Sequence, residues 1–215
     1  MKWVAIMFVS ACGFSPSAVG VDADHHPMTD APAHTQLDAH VTSVDAFVFQ
    51  DAPSQLPFDP AMCPTGYTNN TVTAAPNSRY RVVGTAAKFS AQNTICNGDH
   101  PGWTHLVVLD TIQEATEIHA ALAGNAYYVG AVQPPNQDMP ATGWLQFTGA
   151  SVPPDLWQPG QPNDNGDAEN NEQNVGAADD SSGLINDVSG LYSYLAVCEC
   201  DGNSLAPAVI TALGQ

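Results

Sequence analysis

The most informative part of the chain begins Trp157-Gln158-Pro159-Gly160-Gln161-Pro162-Asn163-Asp164 and ends Gly183-Leu184-Ile185-Asn186-Asp187. Between Trp157 and Asp187 there are seven acids and no Lys or Arg, and most other side chains are amides, hydroxyls, Gly or Ala. Calcium binds about six to eight oxygens from carboxylates, carbonyls and water. The composition therefore indicates a calcium site, and a solvated acidic loop is the alternative interpretation.

Two short segments of this stretch pair an amide with a second oxygen donor. Gln161 and Asn163 flank Pro162, so a cis bond before the proline would turn both side-chain carbonyls toward one point. Asn186-Asp187 supplies an amide and a carboxylate after the apolar Ile185. Both segments are rich in the ligands that a hard cation prefers.

These residues resemble the C-type lectin domain. That family's long loop carries Glu-Pro-Asn or Gln-Pro-Asp, then a Glu, then Trp-Asn-Asp, and these residues hold one Ca²⁺ that also binds sugar hydroxyls. Here Gln161-Pro162-Asn163 is a hybrid of the two tripeptides, and Ile185 replaces the Trp. The resemblance implies a metal site made by Gln161, Asn163, Glu169 or Glu172, Asn186 and Asp187.

The resemblance does not specify the acidic ligand of this metal site or the sugar that the site would bind. Glu169 fits the family's distance from Gln161, whereas Glu172 fits the distance to Val175, so either can be the acidic ligand. With Gln161 in place of Glu, only one Glu and Asp187 bring charge, so we expect weak binding, on the order of 10⁻⁴–10⁻³ M. Gln161, Asn163 and Asn186 would also contact the sugar, whose identity the hybrid tripeptide does not specify.

Other segments match the same family in order. A strand at Tyr80-Arg81-Val82-Val83, a helix ending near Cys96, a strand from Thr104 to Leu109 and a helix capped by Thr111 and Glu114 are expected. Strands at Tyr127–Gly130, Trp144–Gly149 and Tyr192–Cys200 follow. The expected fold is α+β, with two helices, small antiparallel sheets and an irregular loop over about 134–187. The predicted domain spans residues 61–202, and residues 203–215 form a C-terminal tail.

Five cysteines indicate an oxidising compartment and two disulfides. Cys198 and Cys200 are two apart on one strand, too far for an ordinary bridge between them, so each should pair with Cys63 or Cys96. The resemblance selects Cys96–Cys198 and leaves Cys63–Cys200. The resemblance also implies that this chain lacks the family's inner disulfide. The two cysteine positions of that bridge fall near Asn174 and at Gly190, where this chain has no cysteine.

The N-terminal part predicts export and anchoring. Residues 1–12 contain a charge and a short apolar run, typical of a secretory signal, and Val9-Ser10-Ala11-Cys12 resembles a bacterial lipobox with Cys12 as the lipidated residue. Residues 13–60 are Ala-, Asp-, Pro- and His-rich, which predicts a disordered linker. We expect a lipid-anchored protein of the outer surface or periplasm, and an ordinary cleaved signal is the alternative.

The net charge of −18 disfavours nucleic acid and anionic membranes as partners, because there are only four basic residues. No sequence motif of a metalloprotease, a phosphate-binding loop or a serine hydrolase is present, so we do not expect an enzyme. The expected function is calcium-dependent carbohydrate binding. The alternative is a metal-free C-type lectin-like domain that binds protein or mediates adhesion, which the Ile185 replacement and the missing inner disulfide favour.

Overall fold

The computed structural model describes residues 58–69, 71–166 and 169–214, where the chain forms seven strands and three α-helices. In chain order, the elements are β1 Arg79–Ala87, α1 Phe89–Asp99, β2 Thr104–Leu106, α2 Ile112–Ala121, β3 Tyr127–Val132, β4 Leu145–Gln146, β5 Val175–Ala178, β6 Ile185–Val188, β7 Tyr194–Cys200 and α3 Pro207–Ala212. Short 3-10 turns lie at Pro60–Met62 and Pro154–Leu156. Within these residues, no helix is long and apolar enough to cross a bilayer.

The strands form one sheet in the order β1-β7-β3-β5-β6, with β2 added to β7 and β4 added to β3. All pairs are antiparallel except β3 with β7, where Tyr127 is opposite Leu195. The predicted α+β class is confirmed. The sheet is a single mixed one rather than several small antiparallel sheets, and a third helix is present.

Strand β3 forms the centre of the domain because it is buried on both faces. Its alternate residues Tyr127, Val129 and Ala131 pack in one apolar cluster, and Tyr128 and Val132 pack in the other. Helix α2 covers the first cluster, and helices α1 and α3 cover the second. A continuous apolar strand is the pattern expected for an element covered on both sides.

Helix α2 begins at the predicted cap, with one difference. The Thr111 hydroxyl accepts a hydrogen bond from the backbone N–H of Glu114 at 3.1 Å. The Glu114 carboxylate accepts from the N–H of Asp110, one residue before the cap, and from the Tyr80 hydroxyl at 2.6 Å. The carboxylate therefore ties the helix to β1 as well as closing its first turn.

Both predicted disulfides are confirmed. Cys63 is bonded to Cys200 and Cys96 to Cys198. The two bridges attach the segment before β1 and helix α1 to the same strand, β7. Closing loops of about 100 residues is estimated to contribute about 4–5 kcal/mol each in the chain-entropy model.

The C-terminal segment packs against the domain, although the sequence assigned residues 203–215 to a tail. Val209 of α3 is fully buried, and the N–H of Ala206 donates to the carbonyl of Phe147 at 2.9 Å. At the other end, the ring of Phe58 packs edge-on against Trp103. The predicted signal, linker and Cys12 lipid anchor lie outside the described residues.

The predicted irregular loop over 134–187 contains three strands. Strand β4 pairs with β3, and β5 and β6 form a hairpin in which Gly176 is opposite Asp187. The residues between β4 and β5 remain irregular, apart from the turn at Pro154–Leu156. This arrangement places Asp187 on a rigid strand beside the acidic segment.

Candidate metal and ligand site

The start of the acidic segment is fixed against β6. Trp157 forms a bridge with Ile185, the N–H of Gln158 donates to the Ile185 carbonyl at 2.9 Å, and the Trp157 ring packs edge-on against Trp144. The bond between Gln161 and Pro162 is cis, as the sequence suggested. The residues just before the tripeptide Gln161-Pro162-Asn163 are therefore held against β6.

Two buried carboxylates organise the segment through backbone donors. Asp187 is 1% exposed, and its Oδ2 accepts from the N–H groups of Asn163 at 3.0 Å and Asp164 at 2.6 Å. Asp164 is also 1% exposed and accepts from the N–H groups of Gln173, at 2.9 Å, and Asn170. The sequence counted Asp164 only among the surrounding acids. Its position after Asn163 and before Asn165-Gly166 is a turn signal that could have indicated this role.

Three predicted ligands present oxygens that lack a protein partner. Among the described residues, ten buried side-chain nitrogen or oxygen atoms form no hydrogen bond, and three of them are Gln161 Oε1, Glu169 Oε2 and Asp187 Oδ1. A buried acceptor left unpaired costs about 1–3 kcal/mol, and more when it is charged. Amide and carboxylate oxygens are the types of ligand that Ca²⁺ prefers.

The other predicted ligands have different surroundings. The Oδ1 of Asn163 accepts from the N–H of Asn165 at 2.8 Å. Glu172 is exposed and lines a cavity of about 650 Å³ beside Tyr192. Of the two acidic candidates, Glu169 has a buried oxygen without a protein partner and Glu172 does not.

Asn186 follows Ile185 on β6 and lines a small cavity of about 110 Å³ with Asp179, Asp180 and Tyr194. Because successive side chains of a strand point to opposite faces, Asn186 faces away from the Asp187 carboxylate. The structure thus separates the two residues of this pair, although the sequence places them side by side.

The acidic side chains of this site have no basic side chain beside them. Burial raises the pKa of Asp187, and the backbone hydrogen bonds from Asp164 and Asn163 partly oppose this shift. The sequence has no Lys or Arg after Lys88, so no basic side chain from the loop or from β6 can pair with Asp187 or Glu169. A divalent cation would supply the missing positive charge.

The larger cavity adjoins Asn174 and Gly190, the two positions that the sequence resemblance assigns to an absent disulfide. Asn174 and Gly190 both line it, together with residues of the acidic segment and the turn before β7. Leu191 and Tyr192 at this turn are 71% and 55% exposed.

Comparison with known proteins supports the fold. No protein-family model and no curated protein sequence matches the chain. Among solved structures, the C-type lectin CEL-I from Cucumaria echinata is 18% identical, with a TM-score of 0.52 over 64% of this chain and 96% of that chain. The carbohydrate-recognition domain of the human scavenger receptor C-type lectin is 19% identical, with a TM-score of 0.52 over 65% and 98%. Human lithostathine is 18% identical, with a TM-score of 0.50 over 70% and 99%. The chain therefore has a C-type lectin-like fold.

Proposed function

We propose that this protein is an exported, calcium-dependent carbohydrate-binding module. The observation that carries the proposal is the set of buried, unpaired oxygens on Gln161, Glu169 and Asp187. Gln161 and Glu169 lie in the acidic segment, and Asp187 on β6 holds that segment by accepting from the N–H groups of Asn163 and Asp164. Two of the similar solved structures are a C-type lectin and a carbohydrate-recognition domain, which supports a sugar as the ligand.

The residues of the loop would have distinct roles. Gln161, Glu169 and Asp187 would hold Ca²⁺, and the ion would provide a charged centre to which two neighbouring sugar hydroxyls can bind. Asn163 would hydrogen-bond the sugar through its amide, because its oxygen already accepts from Asn165. Asp164 would keep the loop closed around the ion by accepting from Asn170 and Gln173.

Export is supported by the two disulfides, which persist in oxidising compartments. The lipid anchor on Cys12 rests on the sequence alone and is part of the proposal. Display at the cell surface or in the periplasm would give the domain access to glycans or glycoconjugates.

A metal-free C-type lectin-like domain that binds protein is the competing function. The orientation of Asn186 and the engaged oxygen of Asn163 favour it, because both remove predicted ligands from the ion. The two functions differ in their requirement for calcium.

The deciding experiment is a glycan array probed with the full-length protein in millimolar calcium and again with a chelator. We expect binding to a defined class of glycan that the chelator abolishes and that Asp187→Asn weakens at least tenfold. Asp180→Asn removes the same charge from an exposed position nearby and should bind like the parent. Glycan binding that survives the chelator would rule out the calcium-dependent mechanism.

A further inference from the structure

A second polar cluster lies away from the acidic loop, where β2 meets the end of β7. His105 of β2 is opposite Glu199 of β7, and Asp201 follows two residues later. His105 and Glu199 are 1% and 3% exposed, and the side chain of Asp201 is 14% exposed. One ligand atom from each of the three residues lies within 4.8 Å of the others.

The hydrogen bonds of His105 determine which ring nitrogen faces the acids. Nδ1 lies 2.8 Å from the carbonyl oxygen of Leu106, which can only accept, so Nδ1 carries a hydrogen. Nε2 lies 3.1 Å from Oδ1 of Asp201, which is an acceptor when ionised. A positive occupant is therefore needed between Nε2 and the carboxylates, either a second proton on the ring or a metal ion.

The balance of charge around the cluster favours a divalent occupant. A further acid lies close to the cluster, because Tyr80 is opposite Glu199 in the sheet and donates its hydroxyl hydrogen to the carboxylate of Glu114. Of the two arginines on β1, Arg81 is paired with Asp99, and Arg79 donates to the backbone carbonyls of Pro76 and Ser78. A protonated His105 would supply one positive charge beside the carboxyl groups of Glu199 and Asp201, whereas a divalent metal would supply two.

We propose that Nε2 of His105 and the carboxylates of Glu199 and Asp201 bind one Zn²⁺ ion. Zinc binds imidazole nitrogen and carboxylate oxygen at about 2.0–2.2 Å, usually with four ligands, so water would complete the set. The imidazole distinguishes this site from the loop site, because calcium prefers oxygen ligands and zinc readily accepts nitrogen. The ion would link β2 to the end of β7, next to the Cys63–Cys200 disulfide.

Each proposed ligand is already oriented by a second hydrogen bond. His105 Nδ1 donates to Leu106, Glu199 Oε2 accepts from the N–H of Val108 at 2.9 Å, and Asp201 Oδ1 accepts from the N–H of Asn203 at 2.8 Å. Such outer contacts fix the orientation of metal ligands in protein sites.

The test is a zinc titration of the full-length, metal-stripped protein against a chromophoric competitor, with millimolar calcium present throughout. The linker histidines are replaced by Gln in this parent protein so that they do not bind zinc; they are His25, His26, His34 and His40. We expect one equivalent of zinc with micromolar or tighter affinity and a higher melting temperature. Asp201→Asn should weaken binding at least tenfold, and Asp138→Asn, an exposed control with the same charge change, should not.

A parent protein that binds no zinc would overturn the proposal, because the proton on His105 would then be the occupant. Equal zinc affinity in the parent and Asp201→Asn would also overturn it, by placing the ion elsewhere. If Asp201→Asn fails to fold, the parent alone decides the matter through its ¹⁵N NMR spectrum. Zinc must shift the His105 Nε2 resonance, and an unchanged resonance counts against the site.

Discussion

Asp187 is expected to have two separable roles, and a pair of substitutions distinguishes them. Its Oδ2 accepts from two backbone N–H groups, the half-buried one of Asn163 and the buried one of Asp164, while its Oδ1 has no protein partner. Asp187→Ala removes both oxygens. Asp187→Asn keeps one oxygen that can accept from the backbone and removes the charge. The first substitution should therefore damage the fold of the loop, and the second should mainly damage ion binding.

The expected magnitudes follow from the contacts. One buried and one half-buried donor left without an acceptor cost about 2–4 kcal/mol together, a large part of the roughly 5–15 kcal/mol by which domains are stable. Asp187→Asn should cost about 1 kcal/mol, because its bonds become weaker but no buried charge remains. At 10 mM calcium and a Kd of about 10⁻⁴–10⁻³ M, binding adds about 1.4–2.7 kcal/mol, or about 3–10 °C in Tm.

The assay combines urea unfolding in chelator with thermal melting at increasing calcium. In chelator, Asp187→Ala should lose about 2–4 kcal/mol of unfolding free energy and Asp187→Asn much less. In calcium, neither variant should gain the rise in Tm, whereas Asp180→Asn should gain it fully. If Asp187→Ala is as stable as the parent in chelator, the structural role is wrong. If Asp187→Asn keeps the full calcium shift, its role as an ion ligand is wrong.

Three further predictions concern other residues. Gln161→Glu adds a charged ligand and should enlarge the calcium-induced rise in Tm; if neither the parent nor this variant responds to millimolar calcium, the metal-free function replaces the proposed one. Hydrogen bonds from Gln113 and Thr73 lower the pKa of Glu117 to about 2, so its stabilising contribution is present above its unfolded pKa of 4.5 and is lost as the pH falls through about 2. The difference in Tm between the parent and Glu117→Gln should accordingly shrink from pH 6 to pH 2, and a constant difference would contradict this. Cys12→Ala should move the protein from the membrane to the soluble fraction if Cys12 carries the lipid, and unchanged membrane association would refute the anchor.

The sequence determined much of the fold because several of its signals are local. The cap at Thr111, the apolar run of β3 and the two-residue spacing of Cys198 and Cys200 each depend on neighbours along the chain. Propensity, hydrogen bonding at helix ends and strand alternation act over this range. The C-terminal helix was missed because Val209 is the only buried residue of a six-residue element, which leaves no apolar period to detect.

The site depended on tertiary contacts that the sequence does not reveal. Glu169 and Glu172 have the same chemistry, and only the fold decides that Glu169 holds a buried unpaired oxygen while Glu172 is exposed. The sequence also could not show that Asp164 and Asp187 hold the loop, or that β2 brings His105 beside Glu199 and Asp201. Chain composition alone determined that the protein is acidic and rich in calcium-type ligands. The tertiary structure decided which oxygens are paired, because burial and hydrogen bonding depend on residues distant in the chain.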